Sequence, residues 1–321
     1  MDEQTDVVQE QVVEMAQALG WWGVPLAILA GAIRASTPFL FVALGECLTE
    51  RSGRINLGLE GSLVMGALAG FAFGLITGNP WIGVAAAAGV GSVFGLIHGA
   101  LCSLKRVNDI AVGIAIMLFG LGLAFYLGKP FIQAAGPRLP AVNLGFWSDY
   151  AAVQSALSVN ALFVIGILLA PLMLLFFRNT RWGMVVRMVG DNEEAARAAG
   201  YSPVQVRILA TMVGSAMAGI GGAFLSLYYP GGWSEGLSSG QGLMAVALVI
   251  FARWHPVYCM LTALLFGAAG AIGPALQSVG VSWGYYLFNA TPYVLTLAIM
   301  ILACSRHRTL RGAPGELSVA R

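Results

Sequence analysis

The sequence predicts an all-α, polytopic membrane protein of about nine transmembrane helices, and three observations carry that prediction. The 321-residue chain is 58% hydrophobic, only 10% charged, and has a mean hydropathy of +0.79. Soluble domains carry about 25% charged residues, and a chain of this size cannot hide so much apolar surface from water. Apolar runs recur at lengths near the roughly 20 residues that span hydrocarbon as a helix. Finally, arginine and lysine are distributed asymmetrically between successive loops, the pattern that orients membrane proteins.

Taken in order, residues 1–20 hold five acidic residues and no base, which argues against a signal peptide. Val8, Val12, Met15 and Leu19 fall at helical spacing, so this segment is expected to be a short amphipathic surface helix. The transmembrane domain is expected over 21–305. Runs at 21–48, 55–76, 81–104, 110–128, 157–177, 208–229, 257–276 and 281–304 qualify as crossings. The run 237–252 is shorter and opens with serines and glycines; counted as a partial crossing, it brings the total to nine. Nine crossings place 14 of the 17 basic residues on one side, including Arg51, Arg54, Lys105, Arg106, Arg253 and the cluster between Arg178 and Arg207. The N-terminus is therefore expected outside and the tail 306–321 in the cytoplasm of a cell (inner or plasma) membrane protein. A net charge of only +2 gives no sign of a nucleic-acid surface.

Glycines repeat every four residues at Gly66, Gly70, Gly74 and Gly78, and again at Gly91, Gly95 and Gly99. Such stripes let helix backbones approach where no hydrophobic force joins them. The four cysteines, Cys47, Cys102, Cys259 and Cys304, lie in apolar runs and read as small packing residues.

A weak internal repeat lays EGSLVMGAL (60–68) on QGLMAVALV (241–249), and FGLIHGAL (94–101) on AGAIGPAL (269–276). Five crossings separate the paired segments, so the halves are inverted, an arrangement typical of transporters with broken helices at their interface. The repeat also pairs ERSGRINLGLEG (50–61) with YYPGGWSEGLSSGQG (228–242). Unwound backbone is tolerated at membrane depth only where protein or a water-filled cavity satisfies it. On that reading Asn56, Gly58, Glu60 and Gly61 from one break, with Tyr229, Trp233, Glu235, Gly240, Gln241 and Gly242 from the other, line a translocation pathway. The amides and carboxylates would supply hydrogen bonds and the aromatics ring faces. The alternative is a pair of ordinary loops at the membrane edge, which suffices for Arg51 and Arg54. An intramembrane carboxylate such as Glu60 is a functional candidate by default.

The longest basic loop, 178–207, contains DNEEAARAAG. Asp191 is expected to cap a short helix with Glu194 closing a capping box, Gly200 to end it, and Pro203 to open the next. A stiff helix far from the bilayer core suits docking on a cytoplasmic partner.

Catalytic constellations are missing. His98, His255 and His307 are scattered, and there is no HExxH, GxSxG or metal-ligand spacing. GLAFYLGK (122–129) has the wrong spacing for a phosphate loop, and Pro130 follows where Ser or Thr is needed. No cofactor is expected, and any nucleotide site belongs to another chain.

Three motifs in order, ERSGRINLGLEG with its Gly/Ala-rich span, DNEEAARAAG, and GQGLMAVALVIFARWHP, resemble ABC importer permeases. The similarity runs from about 26 to 304 and is to the permease family serving branched-chain amino acids, ribose-like sugars and nucleosides. SGRINLGLEG is most similar to the nucleoside and simple-sugar branch. Ala252 departs from the pattern, where glycine is expected, and the tail beyond Arg306 is unremarkable. The resemblance implies an inverted-repeat fold and a path at a dimer with a second, identical or homologous permease chain. It also implies cytoplasmic ABC ATPase subunits and an extracytoplasmic substrate-binding lipoprotein. Asn56–Gly61 and Gly240–Gly242 match its broken-helix motifs. Glu193–Gly200, containing Glu194, Ala195, Ala196 and Ala199, matches its ATPase-coupling segment. The loop 130–158, with Gln133, Arg138, Asp149 and Tyr150, is placed to dock the binding protein. A different class, an ion-coupled secondary transporter of a small polar solute, also accounts for inverted repeats and Glu60. It leaves the capped cytoplasmic helix unexplained.

Overall fold

Helix starts in this chain are marked by residues that supply the hydrogen-bond acceptors a first turn lacks. The structure, a computed structural model, describes residues 23–104, 106–148, 151–277, scattered positions between 279 and 301, and 313–319. The expected surface helix over 1–20, most of the 281–304 run, Cys304, and the loop residues Lys105, Asp149 and Tyr150 lie outside the described residues.

The first helix, α1, spans Gly23–Arg51. A break follows, and then α2 (Leu59–Thr77), α3 (Pro80–Leu101) and α4 (Asp109–Gly128). Next come a two-stranded antiparallel ladder of β1 (Ala141–Asn143) with β2 (Ser158–Asn160), and between them the short α5 (Ala151–Ala156). The chain continues through α6 (Ala161–Asn179), α7 (Arg181–Asp191), α8 (Glu193–Ala198) and α9 (Pro203–Leu227). A second break leads to α10 (Gln241–Phe251), α11 (Pro256–Gln277) and the terminal α12 (Gly315–Val319). The side chains of Asn79, Asn108, Asn160, Thr180, Asn192 and Ser202 cap α3, α4, α6, α7, α8 and α9. Residues Gly58 and Gly240 precede α2 and α10 and supply no such cap.

Among the described residues seven helices are long and apolar enough to cross a membrane. They fall on seven of the expected runs. The run 237–252, expected as a partial crossing, holds a helix 11 residues long, about 16 Å at 1.5 Å per residue. That is about half a bilayer's hydrocarbon depth.

The glycine stripes explain the packing. Gly91, Gly95 and Gly99 of α3 lie against Ser215, Thr211 and Ile208 of α9 in descending order, so these helices are antiparallel. Gly66, Gly70 and Gly74 of α2 meet Gly219, Ala223 and Leu227 in ascending order, so α2 runs parallel to α9. Small residues at both contacts bring backbone onto backbone. Gly78 is an exception to its stripe: it ends α2 in a left-handed conformation, φ 68°, with open space around it. Helix α1 crosses α9 antiparallel, with Gly45 on Gly214. The two long helices exchange partners: α9 packs on α2 and α3, while α1 packs on α10 and α11. These are the segments the internal repeat pairs.

One end of this bundle gathers charge. Arg54 pairs with Asp109 at 2.5 Å, Arg207 with Glu193 at 2.7 Å, and Arg51 Nε donates to the Trp254 carbonyl at 2.9 Å. At the opposite end the Leu139 N–H reaches the Leu227 carbonyl, beside the β ladder and the exposed Phe146 and Trp147. Between the two ends lies a core built on Leu40, Phe41, Leu44, Leu63, Phe71, Phe224 and Leu248.

Candidate functional site: a junction of two broken helices

The stretch ERSGRINLGLEG resolves into a turn and a climb. Ser52 Oγ donates to the Thr49 carbonyl at 2.6 Å, and Gly53 reverses the chain at φ 86°. Residues 54–56 are irregular. The Ser52 carbonyl accepts from Arg207 Nε, whereas Asn56 Nδ2 donates to Ser215 Oγ at 3.0 Å. Arg207 and Ser215 are separated by two turns of α9, about 12 Å. Four residues of extended chain cover about 13 Å; helical backbone covers half that. The unwinding at 54–56 is thus what carries Asn56 to the level of Ser215, the middle residue of α9.

There the freed backbone is satisfied by protein. The Asn56 N–H donates to Glu46 Oε1 at 2.8 Å, and Asn56 Oδ1 accepts from the Gly58 N–H at 3.0 Å. Asn56 and Glu60 are both buried.

The second break arrives from the other end. The N–H groups of Tyr228, Tyr229, Gly231 and Gly232 fold back onto the carbonyls of the last turn of α9. The chain then descends through left-handed residues at Gly236, Ser239 and Gly240. It meets Glu60. One carboxylate oxygen, Oε1, accepts from the Ser238 hydroxyl at 2.5 Å and the Gly240 N–H at 3.2 Å, and Oε2 accepts from the Gly242 N–H at 2.6 Å. A charge at the start of α2 therefore caps the free N-terminus of α10, where anions are favoured. From this point α2 runs to one end of the bundle and α10 to the other. Gly242 is required by closeness: a Cβ there would lie 2.7 Å from the Glu60 Cα.

The family described as "Branched-chain amino acid transport system / permease component" matches residues 27–304. The chain belongs to this permease family. It is similar to the ABC transporter permease protein TsgC13 of Haloferax volcanii, 29% identical over 308 residues, covering 88% of this chain and 93% of that one. The nucleoside ABC transporter permease NupC of Lactococcus lactis is 27% identical, covering 86% and 91%. The guanosine ABC transporter permease NupQ of Bacillus subtilis is 28% identical, covering 84% and 89%. As a permease component the chain is a multi-pass protein of the plasma membrane and not itself an enzyme; ATP hydrolysis belongs to a separate subunit.

Not all of the permease's sequence candidates meet. Asn56 bonds Glu46 and Ser215, and Gly58 and Gly61 pack on Ile116 and Met117 of α4; the segments that carry them, 56–61, and the segment 240–242, with Gly240, Gln241 and Gly242, are brought together at Glu60. Tyr229, Trp233 and Glu235 are not. Trp233 is buried against Gly128 near the end of α4, and its backbone bridges to Ile132. Tyr229 lies beneath the Arg34 guanidinium at 6.0 Å, and Glu235 is exposed. The reason is spatial: thirteen residues connect α9 to α10, and only the last few reach the junction.

In the 178–207 loop the cap is shifted by one residue from expectation. Asp191 is the last residue of α7, and Asn192, in extended conformation, accepts from the Ala195 N–H at 3.0 Å and caps α8. The amphipathic run that buries Val185, Val186 and Val189 keeps Asp191 helical, so the next polar residue takes the cap. Gly200 does end the segment, at φ 87°, and Pro203 opens α9. Ala196 is fully buried, while Glu194, Ala195, Ala199, Gly200 and Tyr201 face outward. Glu193 instead turns to Arg197 and Arg207, at 2.8 and 2.7 Å.

Sequence reasoning missed Glu46, Glu50, Ser215, Ser238 and Arg207. Glu50 accepts from the Trp254 indole, which fixes the exit of α10 to the end of α1. A signal existed: Glu46 and Glu50 are two carboxylates one helical turn apart in an otherwise apolar run. Ala252, where glycine was expected, has φ −70° and needs none; the left-handed residues are Arg253 and Trp254.

Proposed function

We propose that this permease is the membrane-spanning subunit of an ATP-driven importer for nucleosides or simple sugars, and that its translocation pathway is gated at the Glu60 junction. The observation that carries this reading is the meeting of two unwound segments half-way along α9, held by one buried carboxylate. A gate needs backbone that rearranges without unfolding whole helices, and breaks provide it. Asn56, Gly58, Glu60, Gly61, Gly240, Gln241 and Gly242 form that gate. Tyr229, Trp233 and Glu235 belong to the approach from the binding-protein side.

The cargo follows from the relatives and from charge. NupC and NupQ are named for nucleosides and guanosine, and TsgC13 carries a provisional glucose assignment. The Glu60 carboxylate is fully engaged by Ser238, Gly240 and Gly242, so it offers no free counter-charge, which suits a neutral, hydroxyl-rich solute. The exposed face of Glu194, Ala195, Ala199 and Gly200, with Asp191 and Glu193 at its base and Ala196 as its buried anchor, docks on a cytoplasmic ABC ATPase. A second permease chain completes the path, and an extracytoplasmic lipoprotein delivers ligand to the loop 130–158. The N-terminus lies outside and the charged end of the bundle faces the cytoplasm. ATP and ligand then bias one conformational equilibrium reciprocally.

The deciding experiment reconstitutes the chain with its co-purifying ATPase and lipoprotein in vesicles. Uptake of radiolabelled nucleoside or sugar should require ATP on the ATPase side and survive a protonophore. Uptake that persists without ATP and stops with the protonophore would replace this reading with an ion-coupled carrier.

A further inference from the structure

We propose that the C-terminal segment 313–319 is a working part of the coupling apparatus, with Glu316 as a positioning residue that holds the α8 segment against Arg207. This rests on the reading of α8 as the ATPase contact.

The segment is docked through four of its residues. Pro314 is buried, and Leu317 packs against the core. Gly315 approaches the Asp191 carbonyl so closely that a side chain there would collide with it. Glu316 Oε1 accepts from the backbone N–H of Glu193 at 3.0 Å, an orphan donor of the first turn of α8. Glu316 Oε2 lies 3.4 Å from Arg207 Nη2.

Arg207 is the hub of this contact. Its side chain is only 9% exposed and faces two carboxylates, Glu193 at 2.7 Å and Glu316 at 3.4 Å. Its Nε donates to the Ser52 carbonyl at 3.2 Å, the turn from which the first break climbs to Asn56. Gly53 in that turn lies against both Glu316 and Arg207. One guanidinium therefore joins three parts of the chain distant in sequence: the base of the coupling knob, the foot of the broken-helix hairpin, and the tail. Without Glu316, Glu193 keeps Arg207 but the first N–H of α8 loses its acceptor and Arg207 loses its second carboxylate. Motion of the knob is then no longer transmitted rigidly to residue 52.

The test uses the full complex in proteoliposomes and one crosslink. In a chain stripped of its native cysteines, D191C with A313C should be joined by a short bifunctional thiol crosslinker in membranes, with or without the ATPase present. A stop after Gly312, and Glu316→Ala, should leave insertion and co-purification of the ATPase intact. Each should lower the cargo moved per ATP hydrolysed by about tenfold. Glu316→Gln keeps an acceptor for the Glu193 N–H but not the charge, and should fall between Ala and wild type; Glu316→Asp should recover most of the ratio. Full coupling in the truncated chain, or failure of the crosslink, overturns the proposal. A crosslink that forms while probes at 194 and 195 never contact the ATPase instead overturns the assignment of α8, and the coupling role falls with it.

Discussion

Among the described residues Glu60 meets three donors and no cation, and each donor is a group that must be satisfied away from water. Replacing it with alanine strands the Ser238 hydroxyl and the N–H groups of Gly240 and Gly242, at about 1–3 kcal/mol for each donor left unpaired. Glutamine retains an acceptor but turns its amide toward one of those donors. The detergent-solubilised protein should accordingly lose thermal stability in the order wild type, Glu60→Gln, Glu60→Ala, and transport should fall in the same order. Equal melting temperatures for all three would mean the carboxylate does not hold the junction. Gly242→Val should insert normally yet transport poorly, because the added branch displaces the Glu60 backbone; wild-type uptake by that variant would break the link between this contact and the gate.

Helices here are joined by backbone contact more than by side-chain volume. Gly66 lies on Gly219, and Gly91 on Ser215, so a leucine at Gly66 or Gly91 cannot be absorbed by a rotamer change and should abolish folded, membrane-inserted protein, as read by expression and protease resistance. Helix α8 behaves differently because most of it is exposed. Bulky residues at Glu194 and Ala195 should leave the bundle intact and weaken ATPase association, measured by co-purification; normal association and pumping would remove α8 from the coupling role. α10, at 11 residues, is stabilised by the Glu60 cap at its start and the Glu50–Trp254 contact at its end. Its isolated propensity is insufficient at that length.

On the scale of the molecule, α1 and α9 each hold the other half's broken helix, so neither half is fully packed without the other. On the proposed gating, movement at the charged end would reach the junction through α1 and α9. Single cysteines at positions 56, 60 and 241 should react with a membrane-impermeant thiol reagent from alternating sides as the nucleotide state of the ATPase changes. If all three stay sealed in every state, the junction is a structural weld and the path lies elsewhere.

The sequence by itself determined the solvent, the helical class and the approximate course of the long helices, because hydropathy and glycine stripes act over one or two turns of local chain; the cap of α8 fell on Asn192, one residue from where local pattern put it. ERSGRINLGLEG also announced a break, since no helix tolerates that run of glycine and charge without a reason. What only the tertiary structure decided is what the polar groups face. Glu60 and Gly242 are 182 residues apart, and Glu50 meets Trp254 across 204. Local pattern placed Trp233 and Glu235 in the pathway because they belong to the same loop as Gly240. Packing put the indole on Gly128 and left Glu235 exposed. The tail, featureless as sequence, acquired Glu316 as a partner for Arg207 only when the fold brought residue 53 and the base of α8 to the same corner. A periodicity records which side of a helix is apolar; which distant donor satisfies a buried carboxylate is fixed by the packing of the whole chain.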